Sequence, residues 1–109
     1  MKKYVEVIKD NLKYLLNLDE KTAGVKTCLS SSEEILIPHS INFESQDYFV
    51  TKILKDSFRN NQNISSIQFP SNSKVQTIKE YAFKKSSIKS IVFPPQVTKI
   101  SKGTFCNCK

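Results

Sequence analysis

His39, three cysteines and the adjacent pair Glu33–Glu34 are the side chains that a catalytic or metal-binding reading of this chain would have to use. Cys106 and Cys108 form a C-x-C pair, but a tetrahedral zinc site needs four ligands, and no second pair of Cys or His stands elsewhere to complete one. Glu33 and Glu34 are neighbours, so on a strand they face opposite sides and cannot share acid/base work. His39 follows Pro38 in an expected bend, with no nucleophile motif near it, and is expected to be an exposed loop residue. Two glycines, Gly24 and Gly103, are too few to build a phosphate-cradling loop. The expectation is therefore no enzyme: no catalytic, cofactor-binding or metal-binding residue and no cofactor. Three cysteines cannot all pair internally, so a disulfide framework is not expected; Cys28 reads as a buried thiol.

The charge balance offers a second chemistry. The net charge is +7, which favours anionic partners, and Lys79, Lys84, Lys85 and Lys89 form a basic cluster that could serve as a polyanion edge for nucleic acid or an anionic glycan. Of the 17 cations, however, only Arg59 is an arginine, the residue whose planar fork grips phosphate and guanine edges. The cluster also lacks interleaved aromatics for base stacking. At 109 residues, 39% hydrophobic and 25% charged, the chain reads as one soluble globular domain. No apolar run approaches the about 20 residues that a membrane helix needs. Glu6, Lys9, Asp10 and Lys13 interrupt the start of the chain, so no export signal is expected and a complete chain would be cytoplasmic.

What positions these side chains is a repeat. "VTKILKDSFRNNQNISSIQFP" from Val50, "VQTIKEYAFKKSSIKSIVFP" from Val75 and "VTKISKGTFCNCK" from Val97 align as V-x-x-I, a Phe five residues later, and I-x-x-I-x-F-P in the first two. Phe58 to Phe83 is 25 residues and Phe83 to Phe105 is 22. A period of that size belongs to solenoids, whose units bury their apolar faces only by stacking. In I-x-F-P the alternation points Ile and Phe one way and Pro ends the strand. The stretch between V-x-x-I and Phe is too short for an α-helix and predicts a 3₁₀ or single helical turn. Small residues Ser57, Ala82 and Thr104 precede the Phe column, as close packing of the turns requires. Asn61, Ser86 and Cys108, three residues past each Phe, predict a ladder capping loop backbone inside the coil.

Upstream, "EEILIP" repeats the strand with Ile35 and Ile37, and the apolar runs flanking "ESQD" predict a β-hairpin. Leu12–Leu16 and Val25–Leu29, around a polar turn at 19–22, predict another hairpin able to cover the open end of the solenoid. Tyr4, Ile8, Leu12 and Leu15 fit a helical stripe as well, leaving the first ten residues open between helix and strand. After "TFCNCK" the next strand is missing. The array is then either part of a longer one or has its final edge covered by a second copy, through self-association.

The repeat resembles that of the BspA-like leucine-rich repeat surface proteins, as do "YLLNLDEKTAGVKTC", "ILIPHSI" and "YFVTKI" before it. The resemblance covers residues 12–109. It implies a mainly β, right-handed leucine-rich-repeat solenoid with short 3₁₀ or helical turns and an N-terminal β-hairpin cap, residues 1–33 capping and 34–109 forming the solenoid with an incomplete last repeat. It also implies a non-enzymatic protein-interaction module of cell-surface adhesin type, with a protein partner. The side chains alternating with the buried ones line one wall in two rows: Glu34, Ser66 and Ser90, then Leu36, Gln68 and Val92. They read either as solvated positions or as a recognition face. This chain has Ile and Phe where many such repeats have Leu, which changes the packing alone.

Overall fold

The computed structural model describes residues 3–108. It opens with a three-stranded antiparallel meander of β1 (Tyr4–Lys9), β2 (Leu12–Asn17) and β3 (Thr22–Cys28). The hairpin expected from Leu12 onward is present, and the helical alternative for the start of the chain gives way to a strand over Tyr4–Lys9, Met1 and Lys2 lying outside the described residues. Asp10 and Asn11 decide this, because both have positive φ (51° and 64°) and form the two-residue link that matches the twist of paired strands. In β2, Leu12, Tyr14 and Leu16 point inward and are buried. The turn into β3 is closed by Asn17, whose Oδ1 accepts from the N–H groups of Asp19 and Glu20 at 3.0 Å each.

Seven further strands follow: β4 (Glu34–Leu36), β5 (Ser40–Phe43), β6 (Gln46–Ile53), β7 (Ser66–Gln68), β8 (Thr77–Ile78), β9 (Ser90–Ile91) and β10 (Lys99–Ile100). The expected hairpin is β5–β6, turned by Glu44 and Ser45 at φ 50° and 64°. All other neighbours pair parallel, in two ladders: β3-β6-β8-β10 and β4-β7-β9. The registers place Val25, Ile53, Ile78 and Ile100 in one column and Ile35, Ile67 and Ile91 in another. The chain thus alternates between two walls, advancing one parallel spacing of about 4.8 Å per coil.

Between the walls, each coil turns around its Phe. The ring centroids of Phe58 and Phe83 are 5.0 Å apart with planes at 15°, and those of Phe83 and Phe105 are 5.5 Å apart at 7°. The segment differs from the expected 3₁₀ or single helical turn. The N–H groups of Ser57, Arg59 and Asn61 donate to the carbonyls of Leu54, Asp56 and Phe58, so the turns follow one another at i→i+3. Left-handed residues interrupt them at Asp56 and Asn60, at Tyr81 and Lys85, and at Gly103 and Asn107. A 3₁₀ helix needs negative φ throughout, so these positions break the segment into linked turns.

Coil is tied to coil by backbone bonds at those turns. Phe58 N–H donates to the Ala82 carbonyl at 2.7 Å and Phe83 N–H to the Thr104 carbonyl at 2.9 Å. Ser57, Ala82 and Thr104 are buried there, as the spacing required. At Gly103 a Cβ would run into the Tyr81 ring of the preceding coil, so the left-handed position that Tyr81 itself tolerates is held by glycine one coil later. The polar ladder is also in place. Asn61 Oδ1 accepts from Asn63 and Ile64 N–H at 2.9 and 3.0 Å, Ser86 Oγ from Ile88 N–H at 3.4 Å, and Cys108 Sγ donates to the Phe83 carbonyl at 2.9 Å.

Phe83 is fully buried between two rings, whereas Phe105 is 37% exposed. Phe83→Ala should lower unfolding free energy by about 3–5 kcal/mol in urea titration, and Phe105→Ala should cost less. Equal losses at the two positions would contradict a column in which only the middle ring has both faces covered.

Candidate recognition face

The outer face of β4-β7-β9 is built by strand alternation. Ile35 and Ile67 turn inward and are buried, Ile91 is partly buried, and the flanking residues turn out. Cα register puts Glu34 beside Ser66 and Ser66 beside Ser90, and Leu36 beside Gln68. Val92 follows directly on β9 and extends the second row. The structure therefore brings all six sequence-predicted positions onto one surface. Leu36 is 59% exposed and Val92 83%, on either side of the exposed Gln68 amide. Large aliphatic groups held out in water on a rigid sheet form an apolar patch with a hydrogen-bonding centre.

Sequence reasoning missed a groove beside these rows. A groove of about 580 Å³ runs between the last two coils, with half-buried Phe69 and Phe93 and the prolines that follow them along it. Phe93 is itself supported by the Phe105 ring, 6.1 Å away at 59°. The F-P dipeptides were legible as strand ends; that they also line an open groove depends on how far successive coils separate. Apart from Glu34 at one end, the six positions carry no charge, so the face suits contact by shape, apolar burial and amide hydrogen bonds.

The basic cluster is spread along a single coil. Lys79 follows β8, Lys84 and Lys85 lie within the turn, and Lys89 precedes β9. Lys84 Nζ sits 4.8 Å from the Tyr81 ring centroid, and the Lys85 carbonyl accepts from Gln62 Nε2 at 2.6 Å. Lys52 and Lys99, on either side of Thr77 across β6, β8 and β10, make a separate exposed cationic row on the other wall. His39 is half-buried, edge-on to Phe49 at 5.3 Å, where an exposed loop residue was expected. The apolar ring of Phe49 accounts for the difference.

A family described as "BspA type Leucine rich repeat region (6 copies)" matches residues 27–109. No curated protein matches the chain. Solved structures with the same fold include the pneumococcal vaccine antigen PcpA (TM-score 0.77, 21% identity, 99% of this chain and 31% of that one). The T. pallidum leucine-rich repeat protein TpLRR gives a TM-score of 0.75 at 19% identity, covering 94% of this chain and 46% of that one. A leucine-rich cell surface protein from Faecalibacterium prausnitzii A2-165 gives 0.57 at 18% identity, covering 95% and 40%. The chain thus spans less than half the length of each of these proteins.

The titratable groups away from the face are explained by packing. Burial pushes the Tyr14 phenol up, and the Asp10 charge adds to the effect. A hydrogen bond from Lys26, then the charges of Lys26 and Lys13, hold exposed Glu6 below the usual carboxylate range. Burial raises the Cys28 thiol against the opposing pull of the Ser30 carbonyl and Asn61. All three cysteines are free, and Cys106 is exposed where Cys28 and Cys108 are half-buried. Because the thiolate is the reactive form, iodoacetamide at mildly alkaline pH should label Cys106 first and Cys28 slowly, read by peptide mass spectrometry over time. Labelling of Cys28 as fast as Cys106 in the folded protein would contradict its place inside the first coil.

Proposed function

The chain belongs to the BspA-type leucine-rich repeat family, and from that premise we propose that it captures a partner protein through the outer face of β4, β7 and β9, as an adhesin-type module at a cell surface. Membership of the family makes the chain a protein-interaction scaffold. The observation that carries the finer reading is the pair of in-register rows, with Leu36 and Val92 held out in water around Gln68 beside a groove lined by Phe69, Phe93 and the prolines that follow them. Strands already ordered in the coil leave only side chains to be ordered on binding, and a few well-packed side chains at the centre of a contact supply most of its energy. The surface location is supported by the family's character and by the likeness to the Faecalibacterium leucine-rich cell surface protein. On this reading residues 1–33 cap the stack, residues 34–109 carry the repeats, and no side chain does catalytic work.

The test is a titration against a panel of purified extracellular-matrix and bacterial surface proteins by biolayer interferometry. Gln68→Arg and Val92→Glu should each weaken any saturable capture by about tenfold or more while leaving the urea midpoint unchanged. Lys84→Glu with Lys85→Glu should have little effect. Capture that survives both face substitutions, but falls with the lysine pair and collapses with rising salt, would replace this reading with a polyanion edge.

A further inference from the structure

The two ladders end differently on the side of the meander. The longer one is extended by β3, and through it by β2 and β1, whereas β4 has β7 on one side and no strand on the other among the described residues. The register identifies the backbone groups this leaves. Ser66 N–H donates to the Glu33 carbonyl and Ile37 N–H to the Gln68 carbonyl, so the odd-numbered residues here turn their backbone toward β7. The N–H and C=O groups of Glu34 and Leu36 therefore face the open side. They look onto a groove of about 380 Å³ whose other walls include Asp10, Asn11, Tyr14, Ser30 and Ser32.

We propose that this groove takes an extended, basic segment of a partner protein, added as a strand beside β4. Two donors and two acceptors, alternating along a strand edge, are what one added strand satisfies. The far wall is held in place, because Leu29 N–H donates to the Asn11 carbonyl at 2.8 Å and ties the segment after β3 to the β1–β2 turn. Buried Leu12 and Tyr14 lie at the lining and offer an apolar floor to an inward-facing guest side chain.

Charge selects the guest. In a chain of net charge +7, this groove carries Asp10 and Glu34 in its lining and no Lys or Arg. Among the described residues neither carboxylate forms an ion pair; the pairs present use Glu6 and Asp56. A guest with Lys or Arg flanking an aliphatic residue would place cations beside both carboxylates, whereas an acidic guest would be repelled.

The test uses the full chain, isotopically labelled, and the blocked peptide Lys-Ile-Lys-Ile-Lys as probe. Saturable shifts should centre on the Glu34 and Leu36 amides, the peptide Glu-Ile-Glu-Ile-Glu should produce none, and N-methylation of the basic peptide's alternate amides should abolish them. Asp10→Lys should weaken the basic peptide about tenfold with the rest of the spectrum unchanged. Asp10 lies off the outer face of β4-β7-β9, so this variant separates the edge from the recognition face, whose own failure would leave these shifts intact. Unmoved Glu34 and Leu36 amides at saturating peptide, an equal response to the acidic peptide, or full affinity after N-methylation would overturn the proposal. So would concentration-dependent shifts of the same amides without peptide, which would give the groove to a second copy of the chain.

Discussion

Phe83 lies between Phe58 and Phe105, and each of its faces is covered by a ring from a neighbouring coil. Burying such a ring contributes about 1.5–3 kcal/mol, and none of that is available to a coil standing alone. The other regularities follow from the need to keep equivalent residues one above another. Parallel registers at both walls hold the isoleucine columns, small residues at Ser57, Ala82 and Thr104 let the turns approach, and Gly103 yields space to the Tyr81 ring. The polar ladder of Asn61, Ser86 and Cys108 meets the backbone groups that this close stacking would otherwise bury unpaired.

The same constraint decides where recognition can occur. Inward positions are fixed by packing, so freedom is confined to the alternating outward positions and to strand edges. On β4-β7-β9 the outward rows combine small polar groups with Leu36 and Val92, and a groove lined by Phe69, Phe93 and the prolines after them opens between coils. The other wall presents Lys52 and Lys99 instead. One scaffold thus offers surfaces of different chemistry, and none gathers the histidine with the cysteines: His39 packs on Phe49, and Cys28 and Cys108 sit in the first and last coils.

The repeat was legible because its signal is a spacing of Ile and Phe that no single element needs, and the columns of Phe58, Phe83 and Phe105 and of Ile35, Ile67 and Ile91 lie as that spacing required. The two recognition rows were legible for the same reason, since alternation on a short strand fixes which side chains face out. The turns were not. Tyr81 and Lys85 adopt positive φ although neither is a usual left-handed residue, because stacking on neighbouring turns imposes the conformation. The first strand was hidden by coincidence. Tyr4, Ile8 and Leu15 lie on the outer face of the meander while Leu12 is inside, so their helix-like spacing mixes two faces. The groove at the β4 edge joins residues more than twenty positions apart through a hairpin turn, and no local pattern carries that information.

A double-mutant cycle across the phenyl column tests the shared interior most directly. With alanine at Phe58 and Phe83, or at Phe83 and Phe105, the cycle should return a coupling of about 0.5–1.5 kcal/mol in urea unfolding, while Phe58 with Phe105, separated by the middle ring, should be additive. Additivity for both adjacent pairs would mean that the rings are buried independently, and that the coils do not depend on one another for their core.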